Sequence, residues 1–291
     1  MSKQVIKNTQ FTTETVDGIK DTLIVAATGS IVITDNSNYA IEATGAGASI
    51  KVFGEVLAPE LGGSGADAAI HLGGKNTDLF VGAQGLISAE VGVFADNSGV
   101  SIINEGDIVG EGSGGFGVVM GNGTFVNHGR VYAYQAAVEI VGSATFTNAE
   151  DGKLFGSNYA LLSNGTAGME SNYINHGKII GNVVDTDATI KLVNDGQILG
   201  SVDLGDGNDV IDNRGRISGP IYGGGGSDTL ITDRASDVLV ETFSDFDTDI
   251  VRSTVSYVLS DNIEKLVLLG AKNINATGNN ETNTIYGNGG D

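Results

Sequence analysis

Short runs of alternating apolar and polar residues, separated by turns rich in glycine and asparagine, make up most of the chain. This alternation is typical of half-buried β-strands, and the periodicity of an amphipathic helix is missing almost everywhere. Examples of the runs are residues 117–120, 124–126 and 190–193. Strands this short do not form a stable sheet in isolation. The pattern therefore predicts an all-β chain in which many short strands stabilise one another by stacking.

The tripeptide Asn-x-Gly recurs at intervals that indicate a coil. Its asparagines, including one longer variant that runs from Asn148 to Gly152, are spaced 23, 21, 27, 19 and 19 residues apart. They are Asn104, Asn127, Asn148, Asn175, Asn194 and Asn213. Each interval holds three short β-rich runs, and coils stacked about 4.8 Å apart would pair their backbones. The spacing predicts a right-handed parallel β-helix with three short strands per coil of 19–27 residues.

Two columns of side chains follow from this register. Aliphatic residues two positions after each Asn-x-Gly, from Ile108 to Ile217, are expected to form an inward ladder, and burying each contributes roughly 1.5–3 kcal/mol. The asparagines have two interpretations. They could hydrogen-bond one another at a tight corner, or they could form a row that contacts a ligand. We favour the structural interpretation.

Two glycine-rich loops carry the clearest chemical signal. Residues 205–211 and 224–230 begin 19 positions apart and fit the nonapeptide G-G-x-G-x-D-x-U-x, where U is a large aliphatic residue, except that Leu204 replaces the first glycine of the first copy. Glycines allow tight turns that aim carbonyl oxygens inward, and Asp209 and Asp228 each add a carboxylate. Oxygen ligands in a flexible loop favour Ca²⁺. Two loops one coil apart are expected to hold an ion between them.

The 19-residue spacing also sets the expected domain organisation. Residues 1–20 are predicted to be a polar cap, 21–200 a parallel β-helix, 201–232 calcium-binding coils continuous with it, and 233–291 a C-terminal β segment. Upstream of the glycine loops, Asp187 aligns with Asp206 but lacks the glycine pair. We therefore expect no ion site in that earlier coil.

The two nonapeptides resemble those of the RTX family, secreted Gram-negative proteins whose haemolysin-type repeats form a calcium-dependent β-roll. The resemblance implies that the β-helix continues into β-roll repeats, with ligands from the backbone of Gly205, Gly207, Gly224 and Gly226 and from the carboxylates of Asp209 and Asp228. It also implies half of a further site at Gly289 and Asp291, whose partner loop would lie beyond this sequence. Earlier residues resemble only parallel β-helix repeats in general, such as those of adhesins and polysaccharide lyases.

Composition narrows the function classes. The chain has 36 Asp and Glu against 15 Lys and Arg, a net charge of −21, which argues against a nucleic-acid or anionic-membrane partner. Cysteine is absent, so thiolate metal sites and disulfides are excluded. The sequence has no apolar run long enough to span a membrane, and residues 1–20 lack the apolar h-region of a cleavable signal peptide. Either the protein is cytosolic or its export signal lies elsewhere. The resemblance implies type I secretion to the extracellular space or cell surface by a C-terminal signal. No such signal precedes Asp291, so we expect a longer natural protein.

An enzymatic role has one candidate constellation. His128, Arg130 and Tyr132 could serve as base, uronate-binding cation and acid in a polysaccharide lyase or C5-epimerase. We favour the interpretation of His128 as a turn residue, because other coils carry different residues at this position, and no catalytic residue is predicted. The same strand belongs to a basic and aromatic row, Arg130, Tyr132, Lys153, Phe155 and Lys178, which is a candidate binding face for a glycan or a second copy of the chain.

Together these features predict a secreted, calcium-binding β-solenoid with a structural or adhesive role, in which Ca²⁺ drives folding after export. The alternative is a lyase or epimerase module acting on uronate polymers.

Overall fold

Parallel pairing of short strands organises the whole chain. The computed structural model describes residues 1–33, 38–58, 68–241 and 247–290. Within these ranges every regular element is a β-strand, no helix occurs, and the chain winds through about 12 turns of a β-solenoid. The predicted all-β fold of stacked parallel coils is therefore confirmed.

Most coils contribute three strands, one to each face of the solenoid, as the sequence predicts. The first face is a 14-stranded parallel sheet. Its strands are Lys3–Ile6, Thr22–Val25, Ser49–Val52, Asp78–Val81, Val100–Asn104, Gly123–Asn127, Ala144–Asn148, Glu170–Asn175, Thr189–Asn194, Val210–Asn213, Thr229–Thr232, Ile250–Ser253, Lys265–Leu268 and Thr284–Tyr286.

The second and third faces are two ladders of one further sheet, joined where two long strands bend from one face to the other. The second face holds Thr9–Gln10, Ser30–Val32, Glu55–Ala58, Leu86–Ala89, Asp107–Gly110, Arg130–Ala133, Gln197–Leu199 and Arg216–Ile217. The third face holds Glu14–Val16, Tyr39–Ala43, Ala68–Leu72, Val91–Ala95, Phe116–Met120, Ala136–Ile140, Val202–Asp203, Ile221–Tyr222 and Leu239–Val240. The bent strands are Lys153–Ser163 and Lys178–Val184, and a separate pair is Tyr257–Val258 with Ala276–Thr277.

Both ends of the chain join these sheets. The segment predicted as a cap, residues 1–20, contributes the first strand of each face. The predicted C-terminal segment, residues 233–291, continues the first face in register as far as Tyr286. No described helix is long and apolar enough to cross a membrane.

The solenoid interior is filled by columns of apolar side chains. On the second face, Ile108, Val131 and Leu154 are stacked in register and fully buried. The predicted inward ladder continues through Ile179 and Ile198, while Ile217 is only half-buried on a two-residue strand. Because each coil buries the same positions as its neighbours, the columns fix the register of the stack.

The recurring asparagines form a hydrogen-bonded column inside the corner between the first and second faces. The Nδ2 atom of Asn104 donates to Oδ1 of Asn127 at 2.8 Å, and the same bond repeats from Asn127 to Asn148 at 2.9 Å. The chain of amides continues through Asn175 and Asn194 to Asn213. All six side chains are at most 1% exposed. The structural interpretation of these residues is confirmed.

Replacing Asn148 by alanine is predicted to destabilise the solenoid by about 2–4 kcal/mol, because it leaves buried polar atoms of Asn127 and Asn175 without their partner. Urea unfolding measures this change. The matched control is Asn158→Ala, which removes an exposed amide bonded to Gln135 and should cost no more than about 0.5 kcal/mol. Equal small losses in both variants would contradict the structural role of the column.

Candidate cation site

The two glycine loops stack one coil apart at the corner between the third and first faces. The backbone amide of Gly225 donates to the carbonyl of Gly205 at 3.0 Å, and the amide of Gly207 donates to the carbonyl of Gly225 at 2.7 Å. Gly224 and Gly226 have φ values of 103° and 112°. A Cβ at either position would overlap the carbonyl oxygen of the loop below, so both positions require glycine.

A column of carboxylates lines the inner side of this corner. The Oδ1 atom of Asp209 accepts the amide of Ile190 at 2.7 Å, and Oδ1 of Asp228 accepts the amide of Asp209 at 2.8 Å. The pattern repeats as Asp249 accepts from Asp228 and Glu264 accepts from Asp249, both at 2.8 Å. Each acid thus caps the backbone of the preceding coil with one oxygen, and the second oxygens of Asp209 and Asp228 are buried without a hydrogen bond to any described residue.

Three of the buried acids converge. Carboxylate oxygens of Asp228, Glu241 and Asp249 all lie within 4.8 Å of one another, and the three residues are 2%, 7% and 5% exposed. We call them the acidic cluster. Oε2 of Glu241 accepts the amide of Gly224 at 3.3 Å. Oδ2 of Asp228 and Oε1 of Glu241 are buried and hydrogen-bond to no residue that the structure describes.

A glycine keeps the space beside these oxygens open. Gly223 faces the acidic cluster, and a Cβ there would overlap Oε1 of Glu241 and contact Oδ2 of Asp228. In the preceding coil the same register position belongs to Leu204, which is buried and fills the interior. The replacement of the first nonapeptide glycine by Leu204 therefore has a structural consequence. The open cradle exists at the second loop, beside Gly223, rather than between both loops.

The electrostatics of the acidic cluster favour a bound positive charge. Burial raises the pKa of Glu241 to about 9, of Asp228 to about 7 and of Asp249 to about 6, with further increases from neighbouring carboxylates. Three ionised carboxylates cannot share this volume unless their charge is compensated. The compensation can come from protons or from a cation. The donor set is oxygen only, which suits a hard cation such as Ca²⁺.

The predicted ligands are only partly brought together. Asp228 lies in the acidic cluster, whereas Asp209 lies one coil earlier, in the coil that contains Leu204, and is not part of the cluster. Gly289 donates its amide to the carbonyl of Gly270 at 3.2 Å, and Asp291 lies outside the described residues.

Sequence reasoning missed Glu241 and Asp249 because neither belongs to a glycine motif. A usable signal was present for Asp249. An acid directly precedes the first-face strands that begin at Val210, Thr229, Ile250 and Lys265. Glu241 carries no comparable signal, since it enters the cluster only through the pairing of Tyr222 with Val240.

The candidate catalytic residues have structural partners. His128 Nδ1 lies 3.1 Å from Oδ1 of Asp151, and Nε of Arg130 donates to Oδ1 of Asp107 at 2.6 Å. His128, Asp151 and His176 line a surface groove of about 600 Å³ whose described lining includes neither Arg130 nor Tyr132.

The candidate binding face is assembled as predicted on the second face. Arg130, Lys153 and Lys178 pair in register along one row. Beside it, the rings of Tyr132 and Phe155 lie 5.8 Å apart and are 37% and 39% exposed. The Arg130 guanidinium lies 5.9 Å from the centre of the Tyr132 ring. The result is an exposed aromatic pair flanked by positive charge on an otherwise acidic molecule.

Comparison of the chain with family models, curated proteins and solved structures finds no match.

The raised pKa values predict an unusual pH dependence for the metal-free chain. Glu241 keeps its proton in the folded state up to about pH 9, whereas in the unfolded state it ionises near its ordinary value of 4.5. The folded state therefore binds more protons between these values, so stability should fall as the pH rises from 5 to 8. Unfolding in a chelator at several pH values measures the trend.

The Glu241→Gln variant should flatten this trend, while Glu105→Gln, which changes an exposed acid, should keep it. A metal-free wild type that becomes more stable between pH 5 and 8 would show that the acidic cluster is not buried in the way described.

Proposed function

We propose that this chain is an extracellular structural or adhesive β-solenoid whose C-terminal coils are completed by a Ca²⁺ ion bound in the acidic cluster. One observation carries the proposal. Two buried carboxylate oxygens, from Asp228 and Glu241, face a cradle that only the glycine at position 223 leaves open. Buried charged groups of this kind are normally paired or bound to a metal.

Calcium fits the cradle better than the other common divalent ions. The candidate ligands are all carboxylates, and the absence of cysteine and histidine ligands from the acidic cluster disfavours zinc and copper. Magnesium requires near-ideal octahedral geometry and retains several waters, whereas calcium accepts bidentate carboxylates and irregular coordination. Asp228, Glu241 and Asp249 would hold the ion, with space for carbonyl oxygens of the adjoining loop.

The bound ion would act on folding. Asp228 and Asp249 precede consecutive first-face strands, and Glu241 follows a third-face strand, so one ion would join two coils and two faces. It would also neutralise part of a chain that carries a net charge of −21. A ligand that binds only the native state stabilises it by mass action. The resemblance to secreted RTX proteins supports a setting in which calcium is scarce before export and abundant afterwards.

Calcium at about 100 times its Kd is predicted to stabilise the wild type by about 2.7 kcal/mol, raising Tm by roughly 4–5 °C. A chelator should reverse the rise, and magnesium at the same concentration should not reproduce it. Calorimetry or circular dichroism of the full chain measures the shift.

Glu241→Gln and Gly223→Ala should both abolish the calcium-dependent rise, the first by removing a ligand charge and the second by filling the cradle. The matched controls are Asp206→Asn, an exposed acid of the first loop, and Gly225→Ala, whose Cβ would lie 2.8 Å from Oδ1 of the exposed Asp206 side chain. Both controls should keep the rise. A wild-type Tm that is the same in calcium and in chelator would refute the proposal.

The adhesive part of the proposal is supported by the exposed pair Tyr132 and Phe155 beside Arg130, Lys153 and Lys178. Flat aromatic faces flanked by cations suit an anionic glycan, and a second copy of this acidic chain offers the same charge complementarity.

Phe155→Ser combined with Lys153→Glu is expected to reduce binding to a uronate polymer or self-association at least tenfold, because it removes an aromatic face and reverses one charge. Affinity electrophoresis in uronate gels and sedimentation of the free chain distinguish the two partners. Thr124→Glu, on the first face, is the control. Unchanged mobility and unchanged sedimentation in the double variant would remove this surface from consideration.

A further inference from the structure

One buried tyrosine stands in a column that is otherwise apolar. On the first face the inward column reads Phe125, Phe146, Tyr173, Leu192 and Ile211 in register. Tyr173 is 1% exposed, and its hydroxyl lies within hydrogen-bonding distance and angle of no acceptor or donor in the described part of the chain. Phenylalanine would pack equally well at this position, as it does in the two preceding coils. The hydroxyl therefore needs a partner of another kind.

Two further polar residues interrupt the inward column at the end of the third face. Ile140 pairs with Ser163, and continuing the register places Asp185 next and Leu204 after it. Ser163 is fully buried and Asp185 is 4% exposed. Oδ2 of Asp185 accepts the amide of Ala188 at 2.8 Å, which orients the carboxylate. Its Oδ1 atom and the Ser163 hydroxyl are both buried, and neither has a hydrogen-bond partner among the residues that the structure describes.

Asp209 completes the group. Its Oδ1 atom caps Ile190, while Oδ2 is buried with no hydrogen bond to any described residue. The Tyr173 hydroxyl interacts with Ser163 and Ser171 and with the charges of Asp185 and Asp209. The Asp209 carboxylate is repelled by Asp228 and, to a smaller extent, by Asp185. Four buried oxygens, two from strands and two from connecting segments, therefore share one enclosed region.

We propose that Ser163, Tyr173, Asp185 and Asp209 form a second, fully enclosed Ca²⁺ site, one coil before the acidic cluster. The sequence predicts no site in this coil because Asp187 lacks the glycine pair, yet the donors come from other positions. Leu204 fills the register level between Asp185 and Gly223. At the neighbouring corner the backbone amide of Asp209 donates to the Asp228 carboxylate, so the second site adjoins the first.

A cation explains this group better than an internal water molecule. Two carboxylate oxygens and two hydroxyl oxygens can all turn lone pairs toward one positive ion, which also compensates the buried charge of Asp185 and Asp209. A water molecule can donate only two hydrogen bonds and neutralises nothing. Hydroxyl and carboxylate donors are hard oxygen ligands, so the ion has the same chemistry as in the acidic cluster.

The decisive variant is Tyr173→Phe, which removes one ligand oxygen and leaves the packing shape unchanged. In calcium it should lower the unfolding midpoint, because the ion loses a ligand. In chelator it should leave the midpoint unchanged or raise it, because it removes a buried unsatisfied hydroxyl. Tyr257→Phe is the matched control, since the Tyr257 hydroxyl donates to the carbonyl of Asp237 at 2.7 Å. Its effect should be the same in both conditions.

The number of ions bound by the full chain separates this site from the acidic cluster. Equilibrium dialysis at physiological ionic strength should find two tightly bound Ca²⁺ ions in the wild type, one in Asp185→Asn and one in Glu241→Gln. Ser163→Ala, a smaller change, should weaken the second ion without unfolding the chain.

One wild-type ion that is lost only in Glu241→Gln, with a Tyr173→Phe effect independent of calcium, would overturn the second site and leave the proposed function intact. The absence of any tightly bound ion in the wild type would overturn both.

Discussion

A carboxylate that points into a β-solenoid has no access to water, and this constraint governs the C-terminal half of the molecule. The parallel stack satisfies backbone groups by pairing each coil with its neighbours, and it fills the interior with apolar columns. An acid placed in such a column must cap a backbone amide, keep its proton, or meet a cation. Asp209, Asp228 and Asp249 each cap one amide, and Asp209 and Asp228 still have a second, buried oxygen without a hydrogen bond to any described residue. The remaining charge is what a bound ion would neutralise.

A different corner, between the first and second faces, accommodates its buried polar groups in two ways along its length. In the middle coils the buried polar column consists of asparagines, whose amides both donate and accept, so each residue satisfies the next without any charge. The column changes at its C-terminal end, where Nδ2 of Asn213 donates to Oδ2 of Asp237 at 2.6 Å and the hydroxyl of Thr232 donates to the same oxygen at 2.7 Å. A column of neutral asparagine side chains can extend through any number of coils. A column of carboxylates, by contrast, needs its negative charge compensated in every coil.

Much of the fold could be predicted from the sequence because the solenoid repeats its signals. Asn-x-Gly at regular spacing, with an aliphatic residue two positions later, fixes a corner and an inward position in every coil. The asparagine column and the Ile108 to Leu154 column follow from that repetition alone. The candidate sites could be predicted only in part. Asp228 belongs to a repeated motif, but Glu241 and Tyr173 act through register across coils of unequal length, and no local pattern specifies that register. Leu204 could be recognised as an exception, yet its effect of filling the register level between Asp185 and Gly223 depends on the side chains stacked above and below it.

The most direct test of the central claim is a crystal structure of the chain grown in millimolar calcium, with anomalous scattering data. The account predicts an anomalous peak between Oδ2 of Asp228, Oε1 of Glu241 and a carboxylate oxygen of Asp249, with ion–oxygen distances of about 2.3–2.6 Å. Well-ordered density with no peak there, and with Asp228 and Glu241 close enough to share a proton, would contradict it.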